Sequence, residues 1–246
     1  MTYKTHRRFA VCWVFVASII LYKFGVSKIG YYPMLIIMLS AGQEGAKFPD
    51  KDHDWKNVKD KTALNYIINK VIHLTGGKHR SWQTHSLDIW IYSVIVTLFI
   101  NRGLYKGGTI DVINYEVIMI ILVGFFVGWL SHLVSDMLTS AGIRLTFLRN
   151  RKIAFVPQGI NKTYTLGVGA IIIAGGIALI LLNVSDIGTV MVLLGICSVA
   201  FFIRIGDMRF NTGDVWEESV YKAMGYINCV TGVIALIYPF MDNIIA

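Results

Sequence analysis

Hydrophobic positions along this chain gather in long unbroken blocks. Apolar runs fall at 9–22, 29–46, 86–101, 113–138, 163–183, 187–205 and 221–241. A helix needs about 20 residues to cross a bilayer, with roughly 17 as the practical minimum. Runs that are apolar on every side have no polar face to turn to water and belong in lipid. The pattern predicts an all-α, polytopic transmembrane helix bundle of seven spans, or six if the first run lies in the interface. The first and third runs are short and are expected to tilt or to borrow flanking residues. Residues 1–246 read as a single integral membrane domain without internal repeats. Gly167, Gly169, Gly175 and Gly176 recur in the fifth run, where small residues let membrane helices pack closely. The apolar run from Phe9 to Tyr22 follows a basic start but carries no small-residue cleavage pattern after it, so it is kept as the first span.

The polar segment 47–85 interrupts this pattern and is the one stretch long enough for structure outside the membrane. Within it, Asn65 to Leu74 places apolar residues at helical spacing and predicts a short helix on the membrane surface. Lys and Arg set the orientation, because cytoplasmic flanks carry the excess of both. With the N-terminus inside, only Lys23, Lys28, Arg102 and Lys106 of the 23 basic residues fall outside. The N-terminus is therefore expected in the cytoplasm of a multi-pass inner (cytoplasmic) membrane protein, with 47–85 as a cytoplasmic loop.

Composition agrees with lipid as the solvent. The chain is 55% hydrophobic and only 15% charged, with a mean hydropathy of +0.58. Soluble domains carry about 25% charged residues. The net charge of +8 would raise nucleic-acid binding in a soluble protein. Here it reads as cytoplasmic flanks, and no nucleic-acid partner is expected. Cys12, Cys197 and Cys229 all lie in apolar runs without a C-x-x-C, so they read as small buried hydrophobes. Trp13, Trp82, Trp90 and Trp129 read as interfacial anchors or core.

Candidate chemistry sorts to one side of this topology. The six histidines are His6, His53, His73, His79, His85 and His132, and none falls on the outer face. Four of them share one loop, so they are not six independent events. Asp50, Asp52 and His53 form a P-D-x-D-H run where the second span ends. Such donors suit zinc or manganese, although acidic residues also cap helices. His79 and His85 lead into the third span. Asp88 follows His85 by three residues, placed either to orient a ligating imidazole or to line a polar vestibule. His132 and Asp136 are spaced i, i+4 inside an apolar run. Ionisable residues there are costly and mark function, so metal ligation is the favoured reading. Glu44, expected to be buried in the second span, is a ligand, a general base or a polar packing group. Arg80 lies between two candidate ligands and is read as a clamp for a substrate anion. Arg149 and Arg151 read as ordinary flanking charge.

Four sequence features resemble the YdjM-like family of LexA-regulated, inner-membrane metal-dependent hydrolases. They are Thr5-His6; G-A-x-x-P-D-x-D-H from Gly45 to His53; H-R-x-x-x-T-H-S from His79 to Ser86; and S-H-x-x-x-D-x-L-T-x-x-G from Ser131 to Gly142. Lys51, Trp82 and Gln83 depart from the residues usual in those motifs. The resemblance implies a helical membrane enzyme whose ligands are His6, Asp50, Asp52, His53, His79, His85, His132 and Asp136. That set exceeds the needs of one zinc and allows one or two divalent ions, with zinc expected ahead of manganese.

The expected function is a membrane-embedded, metal-dependent hydrolase at the cytoplasmic face. A phospholipid or lipid-linked phosphoester is the expected substrate, since the donors lie at headgroup depth beside basic residues. Glu44 or Asp88 would orient or deprotonate the attacking water, and Arg80 would stabilise negative charge. A divalent-metal transporter or sensor is the alternative, though transport sites tend toward the bilayer midplane. A structural or regulatory membrane protein with a structural metal is the third reading. Oligomeric state is open.

Overall fold

The computed structural model describes residues 3–25, 29–58, 61–137, 142–145, 151–153 and 213–245. They are mostly helical. Helix α1 spans Tyr3–Lys23 and α2 Tyr31–Lys47, followed by short 3-10 turns at Pro49–Asp52 and Trp55–Asn57. Helix α3 spans Ala63–Leu74, α4 Leu87–Lys106, α5 Val112–Met137, and α6 Gly213–Ile245. The helical class is as expected, with one short strand pair beside the helices. Strands β1 (Ile143–Leu145) and β2 (Arg151–Ile153) form an antiparallel pair with Arg144 opposite Lys152. Three-residue strands are too short to leave a period-2 signal, so a reading by hydrophobic blocks passes over them.

Five expected spans coincide with α1, α2, α4, α5 and part of α6. The runs at 163–183 and 187–205, with their glycines and Cys197, lie outside the described residues, as does Arg149. Among the described helices, α4 and α5 are long and apolar enough to cross a membrane by length and composition. Within α6, Met224–Phe240 is a shorter apolar stretch. Helix α4 turns most of its apolar surface outward, including Ile91, Ile95 and Phe99, whereas α5 is buried mainly in its C-terminal half.

The tightest packing joins α2 to α5, and glycine makes it possible. A Cβ at Gly45 would lie 1.9 Å from the Phe125 carbonyl oxygen, and one at Gly128 would lie 1.9 Å from the Gly42 carbonyl oxygen. A Cβ at Gly124 would meet the Met38 carbonyl oxygen at 2.8 Å. The two backbones approach to a distance that no side chain allows. Around this seam, Val14, Met34, Met38 and Ile120 form one apolar cluster. Phe126, Trp129, Leu133 and Ile143 form a second cluster toward the end of α5.

The alternation of helices brings the start of α1, the end of α2, the start of α4 and the end of α5 to one end of the bundle. Helix α3 lies at the same end. Thr62 caps it, accepting from the Asn65 N–H at 3.2 Å.

Candidate metal centre

Three buried imidazoles meet at the end of α5, each with its Nδ1–H committed outward. Ser135 Oγ donates to the His132 carbonyl at 2.8 Å, so its oxygen receives the Nδ1–H of His6 at 2.6 Å. His132 Nδ1–H donates to the Ala46 carbonyl at 2.7 Å, a contact made possible by the close α2–α5 seam one turn earlier. His85 Nδ1–H donates to Asp52 Oδ2 at 3.0 Å. Fixing one ring nitrogen as the donor leaves the other, Nε2, as a lone-pair acceptor.

All three Nε2 atoms face one carboxylate. His6 Nε2 is 3.7 Å from Asp136 Oδ1; His85 Nε2 and His132 Nε2 are 3.5 and 3.7 Å from Asp136 Oδ2. His85 Nε2 and His132 Nε2 are buried and find no hydrogen-bond partner among the described residues. Lone pairs turned on a carboxylate repel one another unless positive charge lies between them. A divalent cation fits this donor set of imidazole nitrogens and carboxylate oxygens. With metal–nitrogen distances of about 2.0–2.1 Å, neighbouring tetrahedral donors stand about 3.3–3.4 Å apart, close to the separations found here.

Two overlapping triads have donor atoms within 4.8 Å of one another: His6, His132 and Asp136, and Asp50, His85 and His132. Asp50 Oδ1 is 3.9 Å from His132 Nε2 and 3.7 Å from His53 Nε2.

Asp52 acts one step further out. It is fully buried and accepts from His79 Nδ1 and the Ser81 N–H, both at 3.2 Å, from Thr84 Oγ1 at 2.7 Å, and from His85. Burial alone would raise its carboxyl, but the hydrogen bonds from His79, His85 and Thr84 prevail and hold it well below the usual carboxylate range. His79 is 44% exposed and stacks on His53 with ring centroids 3.6 Å apart, so this pair forms the rim. Burial, reinforced by the His79 neighbour, pushes the His53 imidazole down.

Arg80 has φ of 59°, a left-handed backbone costly for any residue but glycine. The Ser81 N–H bond to Asp52 helps hold this turn, which brings Arg80 Nη2 to 3.2 Å from Asp136 Oδ1.

Two expected positions change. Glu44 is not buried: it is 51% exposed and pairs with Lys47 three residues on. Gly42 and Gly45 take the face toward α5, which turns Glu44 away. Asp88 receives the Ser86 hydroxyl and, at 3.0 Å, the Ile89 N–H in the first turn of α4. His85 precedes that helix, so the helical i, i+3 relation does not apply. Neither carboxylate belongs to the grouped donors.

Several residues that shape the centre were not singled out by sequence. Ser135, the Ala46 carbonyl and Thr84 orient the rings, and Trp129 Nε1 donates to the Thr84 carbonyl at 2.9 Å. Asn69 of α3 donates to the Lys51 and His53 carbonyls at 2.6 and 2.8 Å. Backbone carbonyl partners leave no signal in residue types. Ser135 could have been found, because it lies one residue before Asp136 and three after His132, on the same helix end.

Residues 1–209 match the family model described as YdjM inner membrane protein. All the grouped donors fall within the match. No curated protein and no solved structure matches the chain.

Proposed function

This chain belongs to the YdjM inner membrane protein family, and from that premise and the buried donor set we propose a metal-dependent hydrolase working at the cytoplasmic face of the inner membrane. The carrying observation is the convergence of His6, His85 and His132 Nε2 on Asp136, with every Nδ1–H tied away. His132 Nδ1 is occupied by Ala46, so its single remaining lone pair serves one ion, and both donor triads share that atom. We read them as one centre, with zinc ahead of manganese. The chain is multi-pass with a cytoplasmic N-terminus, as the sorting of Lys and Arg supports.

The chemistry a divalent cation supplies is acidification of water and polarisation of a phosphoryl oxygen. The protein's own part is to orient and to clamp. Asp52, Ala46 and Ser135 fix the imidazoles; such partners set ring direction and basicity. Arg80 Nη1 is buried and has no hydrogen-bond partner among the described residues, while Nη2 holds Asp136. A guanidinium with one edge anchored and one donor idle suits a phosphoryl oxygen. Asp50, His53, His79 and Arg80 are each partly exposed and form the open, solvent-facing flank of the centre. A phospholipid or lipid-linked phosphoester is the substrate class, since the open flank lies at one end of a membrane bundle beside basic residues.

The test is release of phosphate or free headgroup from a panel of lipid phosphoesters by metal-loaded protein in nanodiscs. Assayed at saturating metal, because its Nη2 also holds Asp136, Arg80→Ala is expected to lower kcat by about 10²–10³, the cost of one lost transition-state donor. Hydrolysis that persists unaltered in Arg80→Ala removes the clamp. A metal-loaded wild type that cleaves no member of the panel overturns the lipid phosphoester reading.

A further inference from the structure

Helix α3 is amphipathic the wrong way round for a protein in water. It buries Asn65, Asn69 and Ile72 against the body of the protein. It exposes Leu64, Ile67, Val71 and Leu74, at 65, 58, 54 and 84%. At 100° per residue those four fall on one stripe, opposite the asparagines. The helix contains no Asp or Glu; Lys70 lies beside the stripe with its ammonium 5.5 Å from the Tyr66 ring, and exposed Lys61 and Lys78 flank the ends. An apolar stripe bordered by lysines is matched to an anionic lipid surface, with the stripe among acyl chains and the ammonium groups at the phosphates.

The buried face has an equally definite partner. Asn69 donates to the carbonyls of Lys51 and His53, and His73 Nε2 donates to the His53 carbonyl at 3.3 Å. Those carbonyls belong to the turn that carries Asp50 and Asp52. One side of α3 therefore grips the donor turn, and the other offers a lipid-seeking stripe.

We propose that α3 beds in the headgroup boundary of an anionic bilayer and that this contact, passed through Asn69, sets the position of the Asp50–His53 turn. The coupling to the turn rests on the proposed metal centre; the bedding of the helix does not. Binding free energy between the stripe and lipid is spent on one arrangement of the turn, so the bilayer becomes an effector of the centre.

Two measurements separate these parts. The first places a nitroxide at Val71→Cys, in full-length protein with its native cysteines replaced by serine, in nanodiscs of phosphatidylglycerol and phosphatidylethanolamine. A label at Lys56→Cys is the solvent reference. The expected result is high accessibility to oxygen and low accessibility to a water-soluble nickel chelate at 71, with the reverse at 56. High nickel accessibility at 71 overturns the proposal, and so does low accessibility to both reagents, which would put another protein surface, including a second copy, on the stripe. The second measurement compares zinc affinity. Ile67→Gln/Val71→Gln is expected to weaken binding about tenfold in nanodiscs, in the range of outer-layer changes at metal sites, with no change in detergent. Asn69→Ala is expected to weaken it in both. Equal affinity of wild type and Ile67→Gln/Val71→Gln in nanodiscs breaks the coupling. A wild type that binds no zinc overturns the metal centre and the coupling with it, and leaves the nitroxide result to decide the bedding.

Discussion

Gly128→Val is expected to cost the protein both its fold stability and the proposed metal centre. A Cβ at this position would sit 1.9 Å from the Gly42 carbonyl oxygen, which is rigid backbone in the middle of α2. The helices must separate or slide, because no flexible side chain is available to yield. Overpacking usually costs about 1–3 kcal/mol, and a clash with backbone belongs at or above the top of that range. The functional consequence follows from geometry. His132 lies one turn beyond Gly128, and its Nδ1–H reaches the Ala46 carbonyl of α2 at 2.7 Å. Separating α2 from α5 breaks that bond, releases the ring and withdraws the Asp50 turn from Asp136. Thermal unfolding in detergent should show a lowered Tm, with zinc affinity lost in the fraction still folded. Gly103→Ala is the control. Nothing stands within 4 Å of a Cβ there, and replacing this glycine in the last turn of α4 with alanine should leave Tm unchanged or slightly raised. Equal Tm values for Gly128→Val and wild type would contradict the account of the seam.

Asp52→Ala carries the second large effect. The carboxylate is fully buried and accepts from Ser81, Thr84, His85 and His79. Removing it strands four donors and unties the 79–86 loop from the turn after α2. Leaving a buried donor without its acceptor costs about 1–3 kcal/mol, and Thr84 and His85 are both fully buried. The His85 ring also loses the acceptor that fixes its tautomer, and loss of such a partner typically costs about 10–100-fold in metal affinity. Asp52→Asn keeps the shape but can serve fewer of the four donors, so it should fall between Ala and wild type in both measurements. The sign with pH follows from the depressed carboxyl. Stability contributed by Asp52 is complete above the ordinary carboxylate pKa of about 3.9 and is lost progressively as pH falls from there toward its depressed folded value. Wild type should therefore keep this contribution through mild acid, and Asp52→Ala should show no matching acid-dependent loss.

The hydrophobic blocks located α1, α2, α4 and α5, because a membrane-length apolar run needs no tertiary information to be recognised. The pairing of His132 with Asp136 was equally legible, since both lie on one unbroken helix and i, i+4 spacing fixes a shared face. The reading failed where that condition failed. The i, i+3 relation of His85 and Asp88 requires one continuous helix, but α4 begins at Leu87. The apolar run around Glu44 points to burial, whereas Gly42 and Gly45 decide which face of α2 meets α5; the i, i+3 spacing to Lys47 is the signal for its actual partner. The glycines of the seam are ordinary members of apolar runs until two helices are known to be neighbours. His6 lies far in sequence from the other donors; the sorting of histidines puts it on their side of the membrane, and the resemblance to a family motif marks it as a ligand. The ring-orienting carbonyl of Ala46 belongs to the backbone and has no signature in sequence at all.

The central claim is that His6, His85 and His132 hold a cation against Asp136. Metal content by mass spectrometry on detergent-purified protein tests it most directly, with wild type measured beside His132→Ala after both are reconstituted with zinc or manganese and freed of loose ions. Near-stoichiometric metal is expected in wild type, with metal at background in a folded His132→Ala. Wild type at background after reconstitution, or a His132→Ala variant that holds as much metal as wild type, would contradict the claim.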